Sequence, residues 1–235
     1  MRKLNWGIIG LGNVAQKFLE GFHGVENSNL LAIASKSKTK TLKFKNQFQI
    51  NEEFVFNKYE DLLNCKDIDI IYISLPNSYH YEWILKSIEK NKKVLVEKPA
   101  TLNFEEAQKL SEIIKKKNIF FNEGFMYRHD TQIKKVIELI KNNEIGEPLS
   151  MESSFGVNIL TKKKFYFFQK EKKIDKNSRQ FNNQLGGGCI LDLGCYPTSL
   201  SLLICSLVKN INYNKFKITN LVREIGSTGV DINAE

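Results

Sequence analysis

The feature that most narrows what this chain can fold into is the turn Gly10-Leu11-Gly12-Asn13-Val14-Ala15. It lies between a short apolar run, Leu4 to Ile9, and a helical pattern carried by Phe18, Leu19 and Phe22. A strand that turns this tightly into a helix opens a βαβ unit. Gly10 permits the turn, Gly12 lets a pyrophosphate approach the backbone, and the small Ala15 lets helix and strand pack closely. Amides at the helix start, from Asn13 and Val14 onward, suit phosphate oxygens. An ordinary tight βα turn would use the same residues. The strand before it and the helix after it tip the reading toward a dinucleotide site at Gly10, Gly12, Asn13, Val14 and Ala15.

Further strands and helices alternate behind this turn. Strands are expected at Leu30 to Ala34, Phe54 to Phe56, Asp69 to Leu75, Val94 to Val96 and Ile119 to Phe121. Helices are expected at Lys36 to Phe48, Tyr59 to Leu63, Tyr79 to Glu89 and Phe104 to Lys117, the last with Asn103 as N-cap. This rhythm predicts a doubly wound parallel sheet of Rossmann type with right-handed crossovers over residues 1–122. The rhythm then changes. A helix is expected at Thr131 to Lys141, a long strand at Leu149 to Leu160, and a helix from Gly186-Gly187-Gly188 to about Val208. Phe216 to Arg223 and Val230 to Ala234 read as strands, while Lys162 to Asn183 has no clear period. Residues 123–235 are therefore expected to form an α+β domain with an open, mainly antiparallel sheet, so the chain as a whole is of α/β class.

In such a sheet, ligands lie outside the carboxyl ends of the strands. An acid after the second strand would accept the ribose hydroxyls of NAD; this chain has Ser35-Lys36-Ser37-Lys38 instead. A hydroxyl and an ammonium suit a 2′-phosphate, which favours NADP over NAD at Ser35 and Lys36, although solvated lysines would look the same. Pro76-Asn77-Ser78-Tyr79-His80 follows the fourth strand. Pro76, Asn77 and His80 are candidates to border the cofactor, against the plainer reading of a helix start. Glu97-Lys98-Pro99 follows the fifth strand, where Glu97 and Lys98 can meet both the cofactor ribose and a substrate hydroxyl. A helix-start salt bridge is the alternative, and the Lys98–Pro99 bond is a candidate for the cis form. In the second domain Asp192 and Tyr196 stand four residues apart on one helix face with Gly194 between them. An acid and a phenol so placed can relay a proton; a glycine-rich helix start packed against its neighbour is the plainer account.

The net charge of +9 would serve anionic cofactors and substrates. Lysine is spread along the whole chain and no nucleic-acid-binding motif accompanies it, so a nucleic-acid partner is not expected. Ser199 to Val208, the longest apolar run, falls short of the roughly 20 residues a membrane span needs. Met1-Arg2-Lys3 leads directly into a strand and leaves no room for a signal peptide. Cys65, Cys189, Cys195 and Cys205 show no paired metal-ligand spacing. No metal and no membrane are expected, and the compartment expected is a reducing cytoplasm.

Taken together, these motifs resemble the Gfo/Idh/MocA oxidoreductases, a family of glucose–fructose oxidoreductase, inositol dehydrogenase and dihydrodiol dehydrogenase relatives. The resemblance rests on Gly10 to Ala15, Glu97-Lys98-Pro99, and Gly186-Gly187-Gly188 through Asp192-Leu193-Gly194-Cys195-Tyr196. Glu123-Gly124-Phe125-Met126-Tyr127-Arg128-His129 is similar to the family's domain-crossing segment. The resemblance implies hydride transfer between nicotinamide and a sugar, polyol or diol. Lys98 would polarise the reacting oxygen, Asp192 and Tyr196 would orient substrate and move the proton, and Arg128 would contact substrate. Tyrosine at 196, where many relatives have histidine, is similar to the dihydrodiol and xylose dehydrogenase branch and its NADP preference. The second domain's open sheet would serve a homo-oligomer, and specificity is expected from Leu149 to Asn183. Family members continue past this length, which implies a C-terminally truncated sheet. A catalytically inactive NAD(P)-binding protein is the alternative.

Overall fold

The computed structural model describes residues 2–164, 168–171, 174–208 and 211–235, without the side chains of 162–173 and 214. Two compact units divide the chain, Met1–Gly124 and Phe125–Glu235.

The first unit is a six-stranded parallel sheet with strand order β3-β2-β1-β4-β5-β6. Its strands are β1 (Leu4–Ile9), β2 (Ser28–Ala34), β3 (Val55–Phe56), β4 (Ile70–Ile73), β5 (Lys93–Val96) and β6 (Phe121–Glu123). The crossovers are α1 (Asn13–Glu20), α2 (Lys38–Phe48), α3 (Tyr59–Asn64), α4 (His80–Glu89) and α5 (Phe104–Lys117). This is the doubly wound order expected, and the strand order reverses between β1 and β4.

Alternation along each strand sends successive side chains to opposite faces. Ile8, Ile33 and Tyr72 join Leu11, Ala15, Leu19 and Phe44 in a core beneath α1 and α2. Ile9, Ala34, Ile71 and Ile73 join Leu62, Trp83, Ile84, Ile88 and Leu110 beneath α3, α4 and α5. A β-branched, isoleucine-rich sheet buried on both faces explains why these strands read as near-continuous apolar runs.

One register row runs across the sheet at its carboxyl edge. Phe56, Ala34, Ile9, Ile73, Val96 and Glu123 are successive partners in it. The residues that follow extend the ladder by one step: Gly10 N–H donates to Ala34 O, Ser74 N–H to Ile9 O, Glu97 N–H to Ile73 O and Gly124 N–H to Val96 O. Ser35, Gly10, Ser74, Glu97 and Gly124 therefore lie along one rim of the sheet.

Helix α5 begins as expected at Asn103, whose side chain accepts from Glu106 N–H at 2.9 Å while Glu106 Oε2 accepts from Leu102 N–H at 2.9 Å. Its end moves the next strand. Asn118 caps the helix in the left-handed conformation (φ +48°), so β6 starts at Phe121 rather than Ile119.

The second unit holds α6 (Thr131–Lys141), β7 (Thr161–Lys164), β8 (Phe168–Glu171), a π-helical turn (Ile190–Gly194) leading directly into α7 (Cys195–Cys205), β9 (Arg223–Ile225) and β10 (Asp231–Ala234). Pairing is antiparallel, as expected, but among the described residues it forms two separate two-stranded sheets, β7-β8 and β9-β10. The strand expected at Leu149 to Leu160 is absent: these residues are irregular and mostly exposed. The run from Phe216 to Arg223 contributes only its last residue to a strand. Apolar residues such as Leu149, Phe155, Val157 and Ile218 alternate suggestively in sequence, yet all are exposed and lack the partner strand that would fix a ladder.

The stretch Asn183–Cys205 corrects the expectation that no segment is long enough to span a membrane. It is 23 residues long, apolar enough by composition, and little of it is buried. Length and composition are all that this establishes, since a packed helix of a globular domain satisfies the same test.

Candidate functional site

At the switch point, Gly10 adopts φ +90°, and a Cβ there would come within 2.7 Å of Ser74 O and 2.9 Å of Leu75 Cδ2. Left-handed backbone and close approach both demand glycine. Ser74 Oγ donates to Gly10 O at 2.8 Å and ties the two loops together. Gly12 is different. A Cβ there would meet nothing within 4 Å, so the protein leaves the space beside it open. Gly12 caps α1 without a side-chain hydrogen bond, and the first turn carries no acid. Asn13 and Val14 are exposed beside this opening, while Ala15 is fully buried against the sheet. The start of α1 thus has open space beside Gly12, as close approach of a pyrophosphate to the backbone would need.

At the β2 end, Ser35 is only 6% exposed and its Oγ accepts from Ser37 N–H at 3.2 Å. Lys36 is exposed, its ammonium 5.8 Å from the centre of the Tyr59 ring. Lys36 is therefore an accessible cation at this rim, and Ser35 shapes the turn beneath it.

After β4, Pro76 is half-buried and Asn77 buried, opening a short 3₁₀ turn into α4. His80 corrects its expected place. It is 0% exposed and so lies beneath the rim instead of lining it. Its Nδ1 is 2.7 Å from Pro99 O and its Nε2 2.8 Å from Leu75 O. A carbonyl only accepts, so a ring N–H is what either contact takes up. The ring joins the loop after β4 to the loop after β5.

That second loop carries Glu97, Lys98 and Pro99, with a cis Lys98–Pro99 bond. Lys98 is half-buried. The Tyr72 phenol, inside the sheet, donates to Glu97 Oε1 at 2.6 Å, and Glu123 Oε1 accepts from Ala100 N–H at 2.8 Å. Burial, with the Glu97 carboxylate beside it, pushes the Tyr72 phenol well above its ordinary range. Glu97 is thereby fixed from within the sheet, immediately before Lys98.

The second unit places Asp192 in the π-helical turn and Tyr196 in the first turn of α7. Such turns are frequent at functional positions. Asp192 Oδ1 accepts from Arg179 Nη1 at 2.9 Å. Tyr196 packs among the rings of Phe125, Tyr127 and Phe155, with centroids 5.7, 6.2 and 5.3 Å away. Arg128 Nη2 donates to Ser199 Oγ at 3.2 Å, and the same oxygen is 2.8 Å from Tyr127 Oη. Arg128 is thus engaged with α7, three residues beyond Tyr196.

The glycine run before this helix is set by close packing. A Cβ at Gly187 would lie 2.8–2.9 Å from the carbonyls of Arg179, Gln180 and Asn182. Gly188 has φ +111° with Asp231 Oδ1 at 2.4 Å from the same hypothetical atom. Asp231, from β10, accepts from Ile190 N–H at 2.6 Å and from the Cys189 thiol at 3.0 Å. Burial first, and Asp231 second, push the Cys189 thiol up to about 11.

Sequence reasoning missed Tyr72, Ser74, Glu123, Arg179 and Asp231. Tyr72 looks like one more apolar strand residue, and Arg179 and Asp231 lie far from Asp192 in sequence. Part of the stretch expected to set specificity, the side chains of 162–173, lies outside the described residues. Among the described residues, no group of three or more His, Cys, Asp or Glu side chains is placed to hold a metal ion.

Comparison with known proteins agrees with this geometry. Residues 4–125 match a family model described as an oxidoreductase family with an NAD-binding Rossmann fold, and residues 133–234 match a Gfo/Idh/MocA C-terminal domain. A dTDP-3,4-didehydro-2,6-dideoxy-alpha-D-glucose 3-reductase of Saccharopolyspora spinosa is 32% identical over 199 residues, 84% of this chain and 55% of that protein. The D-xylose 1-dehydrogenase (NADP(+)) of Hypocrea jecorina is 29% identical over 205 residues, 83% of this chain and 51% of its own. Among solved structures, the scyllo-inositol dehydrogenase of Lactobacillus casei with bound NAD(H) and scyllo-inositol gives a TM-score of 0.58 at 26% identity, covering 62% of this chain and 43% of that one. The chain spans about half the length of the curated relatives it matches.

Proposed function

Because the chain belongs to the Gfo/Idh/MocA oxidoreductase family, we propose that it is an NADP-dependent oxidoreductase. It transfers a hydride between nicotinamide and a hydroxyl or carbonyl of a sugar, polyol or diol. The observation that carries this reading is the rim on which an open glycine cradle, after β1, and the Glu97-Lys98 loop, after β5, stand on either side of β4.

The dinucleotide, when bound, supplies the hydride acceptor or donor. Gly12 and the amides of α1 would hold its pyrophosphate, and Lys36 its 2′-phosphate. The absence of an acid at the end of β2 favours NADP over NAD. Lys98 Nζ would donate a hydrogen bond to the reacting oxygen and favour the alkoxide-like charge that develops on it. Glu97, held by Tyr72, fixes the backbone from which Lys98 extends. Tyr196 Oη would exchange the proton with the substrate oxygen. Asp192, with one oxygen on Arg179, would orient a neighbouring substrate hydroxyl.

Titration of the purified chain with NADPH and NADH, followed by turnover on a polyol and aldose panel, tests the reading. NADPH should bind about tenfold more tightly, a difference near 1.4 kcal/mol. Lys98→Met should lose about 10²-fold or more in kcat while still binding NADPH. Equal or tighter binding of NADH overturns the cofactor preference, and unchanged turnover in Lys98→Met overturns the role of Lys98. Cofactor binding with no turnover on any member of the panel would leave a binding protein without catalysis.

A further inference from the structure

The residues proposed to meet substrate in the second unit stand on one helix, and the first turn of that helix is held by a side chain from near the far end of the chain. Asp231 Oδ2 accepts from Ile190 N–H at 2.6 Å and from Cys189 Sγ at 3.0 Å. Its other oxygen stands against Gly188, where any Cβ would intrude to 2.4 Å. A carboxylate at a helix start satisfies amides that have no partner within the helix and opposes the positive end of the helix dipole. Asp192 is two residues beyond Ile190, and Tyr196 six. We propose that Asp231 is a positioning residue of the reaction: the β9-β10 hairpin brings its carboxylate under the helix start and sets the orientation from which Asp192 and Tyr196 work.

Three features give the contact this reach. The π-helical turn Ile190–Gly194 follows it immediately, so Asp192 lies in a segment whose ladder departs from the α-helical pattern. The glycines before it are enclosed by carbonyls of residues 179, 180 and 182, which leaves little freedom on that side. Arg179, from the same enclosing loop, pairs with Asp192. Loop, glycine run and carboxylate therefore meet at one helix turn. The proposal rests on the catalytic reading of Asp192 and Tyr196.

The test uses the full chain as wild type, Asp231→Asn and Asp231→Ala, with Cys189 as an internal reporter. Its alkylation by iodoacetamide at pH 8 is followed by peptide mapping. Both variants remove the negative charge that holds the thiol protonated, and Asp231→Ala also removes the acceptor that the amide oxygen of Asp231→Asn keeps. Cys189 should therefore react at least about tenfold faster in both. In the same samples kcat should fall about tenfold or more, while NADPH affinity, which belongs to the other unit, stays unchanged. Asp231→Asn keeps the size of the side chain, and its retained thermal midpoint separates loss of position from loss of folding. Unchanged Cys189 reactivity would show that the carboxylate does not hold the helix start. Faster alkylation with unchanged kcat would show that the hold does not reach Asp192 and Tyr196; either result overturns the proposal. Failure of the underlying reading looks different: the wild type itself then shows no turnover, which removes the catalytic consequence even where alkylation still separates the variants.

Discussion

The Tyr72 phenol reaches Glu97 Oε1 at 2.6 Å from a neighbouring strand, although Tyr72 is itself 1% exposed and stacked on Phe18 at 4.0 Å. A hydroxyl inside a sheet is costly unless it is bonded, and its partner is the residue that precedes Lys98. The bond thus serves packing and the site together. Tyr72→Phe keeps the ring and leaves the carboxylate without this donor. It should lower unfolding free energy by about 1–3 kcal/mol and reduce kcat with little change in NADPH affinity. Denaturant melts paired with steady-state kinetics check both.

The same phenol links stability to alkaline pH. Its ionisation is raised in the folded state, so the native chain retains a proton that the unfolded chain releases from about pH 10 upward. The contribution of this group is fully present below that pH and falls as pH rises, by up to about 1.4 kcal/mol per pH unit. Cys189 acts in the same direction from about pH 8.5, the ordinary thiol range. Thermal midpoints measured between pH 7 and 11 should decline, and Tyr72→Phe should flatten the upper part of that decline.

Gly10 and Gly12 should answer differently to alanine. At Gly10, φ +90° alone costs about 1–2 kcal/mol for a residue with a Cβ, and the contact with Ser74 O adds to it. Gly10→Ala should therefore lower the melting temperature. Gly12→Ala meets no protein atom, so the fold should keep its stability while NADPH binding weakens. Melting curves and fluorescence titrations of the two variants decide this. A Gly12→Ala chain that binds NADPH normally would remove Gly12 from the phosphate site.

Lys36 is an exposed cation directly after β2. Lys36→Glu should weaken NADPH by about tenfold or more, close to 1.4 kcal/mol, and leave NADH unchanged or tighter. Loss of both cofactors together would show that the residue acts through the fold.

Much of the first unit was legible because each signal was local. The strand runs are isoleucine-rich, the helices carry their own caps at Ser37 and Asn103, and the glycine turn sits where strand order reverses. In the second unit the determinants are distant pairs. Phe155 and Val157 alternate like strand residues but find no partner strand, so propensity alone misleads there. Asp192 and Tyr196 were identifiable as candidates, whereas Arg179 and Asp231 approach them only through the fold. His80 was visible as a titratable residue near the rim. Its burial depended on a loop that begins 17 residues later, at Glu97.

Two contacts of the His80 ring end on main-chain oxygens, those of Leu75 and Pro99. They are therefore indifferent to which side chains occupy positions 75 and 99. Substitution at those two positions leaves this contact in place, whereas position 80 needs a flat ring with a nitrogen on each side. The constraint on two loops is written in the sequence at a third place, on a side chain buried at the start of α4.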